Sequence, residues 1–302
     1  MSPPRESRVV VITGASSGIG KATAIEFARH SAKLFLCGRD APALEQAAAE
    51  CQSHGAETLT CAADAAKVEA IENARDRAVA AFGRIDVWIN CAAVLSFGRF
   101  EAMPPETFKR VVETNILGYA DGSRAALSQF RAQGNRGMLI NVSSMLGVVG
   151  EPYVSAYVAT KFAIRGLTAC LRQEARDFPE LHICCVLPPA VDTPIYQKAG
   201  NLMGKRARAI FPVYSPQFVA RTILWAVEHP RREVIVGSVG YLISVANRLA
   251  PMLLERLVGR LAPRLQFEDR REAATDGNLF LATEPHATNG GWKQYWKAKL
   301  LG

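Results

Sequence analysis

Along the chain, short apolar runs alternate with longer stretches whose apolar positions recur at a helical interval. The runs cover residues 9–12, 34–37, 58–61, 87–90, 138–142, 183–187 and 234–236, and they read as strands. Between them, residues 18–30, 41–54, 68–82, 107–131, 156–178 and 216–228 have helix length and helical period. Strand and helix in strict alternation imply right-handed crossovers, and these lay helices over both faces of a parallel sheet. The pattern predicts a doubly wound α/β fold with seven parallel strands over residues 1–238, followed by a helical extension and tail over 239–302.

Residues 239–267 are apolar with regularly placed arginines, and Leu242, Ala246, Leu249, Leu253, Leu257 and Leu261 recur at helical spacing. Pro251 and Pro263 are expected to break this segment into pieces. Arg248, Arg256, Arg260 and Arg264 make its polar side positive. Such a segment fits a membrane interface, and it equally fits a helix pair packed on its own domain or on a second subunit. The remainder, 268–302, is polar and carries Trp292, Tyr295 and Trp296, with no role readable from the sequence.

Composition narrows the picture only slightly. A chain of 302 residues with 49% hydrophobic and 21% charged residues is ordinary globular material, not extended disorder. The net charge of +8 suits an anionic cofactor, a membrane surface or nucleic acid, and it also suits a solvated Arg-rich surface; no nucleic-acid partner is expected. Seven scattered cysteines show no paired zinc spacing and read as reduced, mostly buried thiols, so no metal is called for. The apolar run at 9–12 is too short for a signal-peptide core, and no stretch reaches 18 uninterrupted apolar residues. The cytoplasm is the expected address, with the extension as the one route to a membrane surface.

The first strand runs directly into Thr13-Gly14-Ala15-Ser16-Ser17-Gly18-Ile19-Gly20 and then a helix. Gly14 suits a sharp turn, Gly18 lets backbone approach a pyrophosphate, and Gly20 lets helix pack on strand. The N-H groups of Ser16, Ser17, Gly18 and Ile19, at a positive helix end, would face the phosphates.

This Thr-Gly-x3-Gly-Ile-Gly turn resembles that of the short-chain dehydrogenase/reductase family, and the resemblance runs from about residue 8 to 237. It implies a Rossmann-type sheet and a nicotinamide dinucleotide. Cofactor choice is set after the second strand, where an acid would bind a ribose 2'-hydroxyl. Here Gly38-Arg39 stands in its place, and a guanidinium pairs with a 2'-phosphate, so NADP(H) is expected. Asp40 next to it reads as a helix cap. Asp64 resembles the family's residue at the adenine ring, and is equally placed to cap the helix beginning near Lys67. Asn90-Cys91-Ala92-Ala93 departs from the family's Asn-Asn-Ala-Gly; Asn90 matches, and Ala93 adds a methyl group under the cofactor.

Tyr157 and Lys161 are four residues apart in a helical segment and so share a face. An adjacent ammonium is expected to lower the phenol's pKa, which fits Tyr157 as the acid or base at a carbonyl or alcohol oxygen. The resemblance implies that Lys161 also binds the nicotinamide ribose. It implies that Ser144, thirteen residues before Tyr157, holds the substrate oxygen, and that Asn115 positions a water linked to Lys161. Ser144 is preferred over Ser143 because Gly147 follows at the family's interval. In the Pro188 to Pro194 segment, Thr193 would bond the carboxamide and Val191 would touch it through backbone. Residues 195–212, with Lys198, Lys205, Arg206 and Arg208, read either as a mobile substrate lid or as an exposed basic loop.

The expected function is NADP(H)-dependent interconversion of a carbonyl and an alcohol. Val94, Leu95, Phe97, Met145, Leu146 and Tyr196 are candidate pocket residues, which points to a hydrophobic small molecule. Two rivals are a 3-oxoacyl carrier-protein reductase and a non-catalytic NADP(H)-binding regulator or membrane-surface scaffold. The resemblance further implies a homo-oligomer built on the helices that bear Asn115 and Tyr157.

Overall fold

Seven parallel strands form the sheet that the alternation predicts: β1 (Val9–Thr13), β2 (Lys33–Gly38), β3 (Thr58–Ala62), β4 (Val87–Asn90), β5 (Gly137–Val142), β6 (Leu181–Leu187) and β7 (Glu233–Ile235). They come from a computed structural model describing residues 7–301. The order across the sheet is β7-β6-β5-β4-β1-β2-β3. β1 and β4 are therefore neighbours although three crossovers separate them, and this reversal opens a crevice at the strands' carboxyl ends. β1 is buried at every position, so its unbroken Val-Val-Val-Ile run is what a central strand covered on both faces requires. The edge strand β3 buries only Thr58 and Cys61, leaving Leu59 and Ala62 exposed.

The helices are α1 (Gly18–Ala28), α2 (Ala41–Ser53), α3 (Val68–Phe82), α4 (Pro105–Val112), α5 (Gly118–Ala132), α6 (Ser155–Glu174) and α7 (Pro216–Glu228). α1 packs on α7 under one apolar layer, and α3 on α5 under the other. The predicted helix over 107–131 is continuous in direction. One wide turn at Glu113–Leu117, with i to i+5 bonding, joins α4 to α5 and contains Asn115.

Two further helices, α8 (Gly237–Leu249) and α9 (Pro251–Gln266), follow the sheet. Pro251 begins α9, as a residue without an N-H should. Pro263, expected to break the segment, instead lies inside α9. It sits in the last turn, so one missing N-H ends the helix soon afterwards without dividing it.

The chain then pairs in small sheets outside the seven-stranded one. Phe267–Arg271 pairs antiparallel with Lys205–Ala207, and Gly200–Asn201 pairs parallel with Ser96–Phe97. Leu279 is fully buried against Val94, Met103 and Val111, a burial worth about 2 kcal/mol. Asp192, itself fully buried, accepts from the Trp292 N-H at 2.6 Å and so anchors α10 (Trp292–Leu301). The 195–212 segment is thus tied into small sheets, and Lys198 and Arg208 within it are buried, which removes the reading as an exposed basic loop. Among the described residues, no helix is long and apolar enough to cross a membrane.

Candidate active site

The turn after β1 is fixed by close backbone approach. A methyl group on Gly14, whose φ is +72°, would lie 2.7 Å from the Ala92 Cα. One on Gly20 would run into the Gly14 carbonyl, so this glycine seats α1 on the end of β1. The Thr13 hydroxyl accepts from the Cys91 N-H at 3.1 Å and ties the ends of β1 and β4 together. The cleft this makes is lined by Gly14, Ser16, Ser17, Gly18, Ile19 and Gly20 on one side. Arg39, Asp64, Tyr157, Lys161 and Thr193 line the rest.

Two candidates lie elsewhere. Asn90 is buried below the cleft, its amide oxygen accepting from Trp88 Nε1 at 2.8 Å and its nitrogen donating to Asn141 Oδ1 at 2.8 Å. Its side chain is spent joining β4 to β5 and does not reach the cofactor cleft. Val191 faces the neighbouring cavity, and its carbonyl accepts from the Thr193 N-H at 2.8 Å.

At the far end of the cleft, Asp40 caps α2 by accepting from the Ala43 N-H at 2.9 Å. It also pairs with His286 Nε2 at 3.1 Å. Asp64 turns the chain through the Ala66 N-H and pairs with Arg110 at 2.6 Å; the cap position of α3 falls on Lys67, so Asp64 is not its cap. Burial raises the Asp64 carboxyl, but the bonds from Arg110 and Ala66 outweigh it and hold the group below its usual range.

Sequence reasoning missed the tail here. Arg39 donates to the carbonyls of Leu279, at 2.9 Å, and Asn278. The Ala287 carbonyl accepts from the Gly18 N-H at 3.1 Å. Asn278, Ala282 and His286 therefore form a wall of the cleft, together with the buried Lys198. Nothing local in a polar, periodless stretch announces this; the partners stand some 240 positions away.

Tyr157 and Lys161 share a face of α6, as their spacing requires. Lys161 is buried and donates to the Val142 carbonyl at 3.0 Å, with its ammonium 5.2 Å from the Tyr157 ring centre. Burial lowers its pKa to about 8, with Cys91 and Cys185 opposing. The expected lowering of the phenol does not appear. Burial holds Tyr157 well above its ordinary value, Cys91 and Glu151 add to that, and a hydrogen-bonding interaction with Ser144 opposes it. The phenol's own burial is the larger effect, and the Lys161 ammonium, itself desolvated, does not offset it.

Ser143 donates to the Lys161 carbonyl at 2.8 Å and is spent on structure. Ser144 accepts from the Leu146 N-H at 3.1 Å and faces a second, mostly apolar cavity. Asn115 accepts from the Val94 N-H at 2.8 Å and donates to the Val94 carbonyl at 2.9 Å, a clasp that the wide helical turn presents. Leu95, Phe97, Met145, Leu146 and Tyr196 line the apolar cavity, whereas Val94 faces the cleft. Tyr157 lines both.

Comparison with known proteins places this geometry. The short chain dehydrogenase family model matches residues 8–202. The chain belongs to the short-chain dehydrogenase/reductase family. An oxidoreductase of Bacillus subtilis, YxnA, is 34% identical over 293 residues, which is 95% of this chain and 82% of YxnA. The 3-ketodihydrosphingosine reductase of Bos taurus is 32% identical over 243 residues, 78% of this chain and 73% of that protein. Among solved structures, the alcohol dehydrogenase of Thermococcus sibiricus complexed with 5-hydroxy-NADP matches with a TM-score of 0.68 and 29% identity, over 78% of this chain and 98% of that one. This short-chain dehydrogenase/reductase is thus an oxidoreductase of a family that uses a nicotinamide cofactor and acts on small molecules.

Proposed function

We propose that the protein interconverts a carbonyl and an alcohol on a hydrophobic small molecule using NADP(H). The observation that carries this reading is the position of Tyr157 at the junction of the glycine-lined cleft and the apolar cavity. The cleft fits a dinucleotide: the Gly18 N-H, expected to face phosphate, is taken by the Ala287 carbonyl, but the N-H groups of Ser16, Ser17 and Ile19 around the start of α1 would meet it, and Arg39 and Lys198 bring two cations to the adenosine end. Asp64 pairs with Arg110 and Asp40 with His286, and the two carboxylates offset only part of the charge of Arg39 and Lys198. A guanidinium and an ammonium in one wall favour a 2'-phosphate and hence NADP(H) over NAD(H).

When bound, the nicotinamide supplies or accepts the hydride. Ser144 would hold the substrate oxygen, and Tyr157 would give it a proton during reduction or take one during oxidation. A phenol raised by burial stays protonated through neutral pH, which suits it to donate. Lys161 would bind the nicotinamide ribose, Thr193 the carboxamide, and Val191 would touch it through backbone. Asn115 would hold a water on the path by which Lys161 and Tyr157 recover protons. Asn90 would serve only by keeping the ends of β4 and β5 in register.

The substrate reading rests on the cavity wall. Leu254, Leu257 and Leu261 of α9 line it, and the relative named 3-ketodihydrosphingosine reductase supports a ketone. The same helix pair turns Leu242, Leu249, Met252 and Leu253 outward at 67–78% exposure. Four arginines and one glutamate border this face, so it fits an anionic lipid surface. Leu117 and Phe162, exposed on the helical faces near Asn115 and Tyr157, favour a homo-oligomer. Oxidation of NADPH and of NADH against methyl ketones of graded chain length tests the reading. Turnover that rises with chain length and prefers NADPH is expected; turnover with NADH alone would remove the cofactor assignment, and none with either would remove the reaction.

A further inference from the structure

Glu151 stands in the loop between Ser144 and α6, half-buried, and lines the apolar cavity beside Ser144, Tyr157 and Tyr196. Among the described residues lining that cavity it is the only one with a charged side chain. No described residue donates a hydrogen bond to its carboxylate or pairs with it. The rest of the wall is aliphatic or aromatic, apart from short polar groups at the junction with the dinucleotide cleft and Gln266. Gln266 is engaged with Arg208.

A carboxyl group without a partner in an apolar wall is unfavourable unless something else satisfies it. We propose that Glu151 is a substrate-recognition residue: it accepts a hydrogen bond from a hydroxyl or amino group carried next to the reacting carbonyl, while the wall of α9 takes a long apolar chain. The substrate class is then an amphipathic hydroxy- or amino-ketone, or the matching alcohol. This rests on the reading of Tyr157 as the proton-transfer residue only for which carbon reacts.

Glu151, Ser144 and Tyr157 line the same cavity, and Glu151 lies in the loop that joins Ser144 to α6. Burial pushes Glu151 up to about 7, and its charge in turn raises the phenols of both Tyr157 and Tyr196. A plain methyl ketone leaves this carboxyl unsatisfied; a donor on the adjacent carbon does not.

The test compares a long-chain methyl ketone with the matching hydroxymethyl and aminomethyl ketones, in the full chain with NADPH. The wild type is expected to favour both donor-bearing ketones in kcat/KM over the methyl ketone by roughly tenfold or more. In Glu151→Leu that ratio collapses toward unity for both. In Glu151→Gln the aminomethyl advantage falls further than the hydroxymethyl one, because an amide still accepts but carries no charge. A ratio that stays within about twofold of wild type in Glu151→Leu, with the melting temperature unchanged, would overturn the assignment. Calorimetric binding of the same ketones to Tyr157→Phe, with and without Glu151→Leu, reads the preference without turnover. The same binding preference in a wild-type chain that reduces none of the ketones would keep Glu151 and remove the Tyr157 reading instead.

Discussion

Arg39, at the end of β2, donates at 2.9 Å to the carbonyl of Leu279, which arrives from the C-terminal tail. The guanidinium is thereby aimed along the cleft wall, and Lys198 stands beside it, buried and without a described hydrogen-bond partner for its ammonium. Burial lowers the pKa of Lys198, and repulsion from Arg39 lowers it further, with Asp40 opposing. Two cations in one wall, only partly offset by Asp40 and Asp64, would be relieved by an anion with more than one charge.

Arg39→Ala and Lys198→Met should therefore each weaken binding of adenosine 2',5'-bisphosphate by roughly tenfold. Binding of adenosine 5'-monophosphate should change far less. Equal losses for the two nucleotides, measured by calorimetry, would place the charge at the 5'-phosphate instead.

Leu279 is the anchor of this arrangement. Leu279→Ala removes a fully buried side chain, and a cost of about 2–4 kcal/mol is expected. The loss should concentrate in the tail, with faster proteolytic nicking beyond residue 271 than in the sheet. A melting temperature and a digestion pattern both like wild type would show that the tail is held by Trp292 and Trp296 alone.

The doubly wound sheet was legible because each of its strands is an apolar run and each crossover a helical period, both local signals. The cradle was legible because Gly14 and Gly20 answer to backbone contacts that only glycine permits. What could not be read was long-range. The bonds from Arg39 to residues 278 and 279 join segments with no shared pattern, and Glu151 looks in sequence like any loop acid. Asn90 misled for a related reason: its place at the end of β4 is correct, but Trp88 and Asn141 claim its amide. The phenol's electrostatics also escaped, since spacing puts Lys161 beside Tyr157 without revealing how deeply both are buried.

Lys161 gives a pH signature. The folded chain releases its proton near pH 8, whereas the unfolded chain keeps it to about pH 10.4. Below pH 8 the group is charged in both states and its burial opposes folding, by on the order of 3 kcal/mol before the bond to Val142 is counted. Between pH 8 and about pH 10 the unfolded state binds more protons, so wild-type stability gains with pH from this residue. Lys161→Met should thus be more stable than wild type at pH 7 in thermal melts, by a margin that narrows above pH 8. A margin independent of pH would mean the lysine is solvated.

The face formed by α8 and α9 should bind vesicles containing phosphatidylglycerol and not vesicles of phosphatidylcholine alone. Flotation should fall as salt rises, because arginine attraction is screened. Leu249→Glu with Leu253→Glu should abolish it. If those changes instead halve the mass in solution, the face is covered by a second copy of the chain.

Tyr157→Phe is the most direct measurement of the whole account. With a long-chain ketone and NADPH, kcat/KM should fall by roughly a hundredfold to ten-thousandfold while NADPH binding, followed by fluorescence, stays within a few-fold of wild type. Turnover by the phenylalanine variant at the wild-type rate would contradict the account, because of the three hydroxyl side chains that line both the cleft and the cavity, Ser143, Tyr157 and Thr193, only Tyr157 is a phenol.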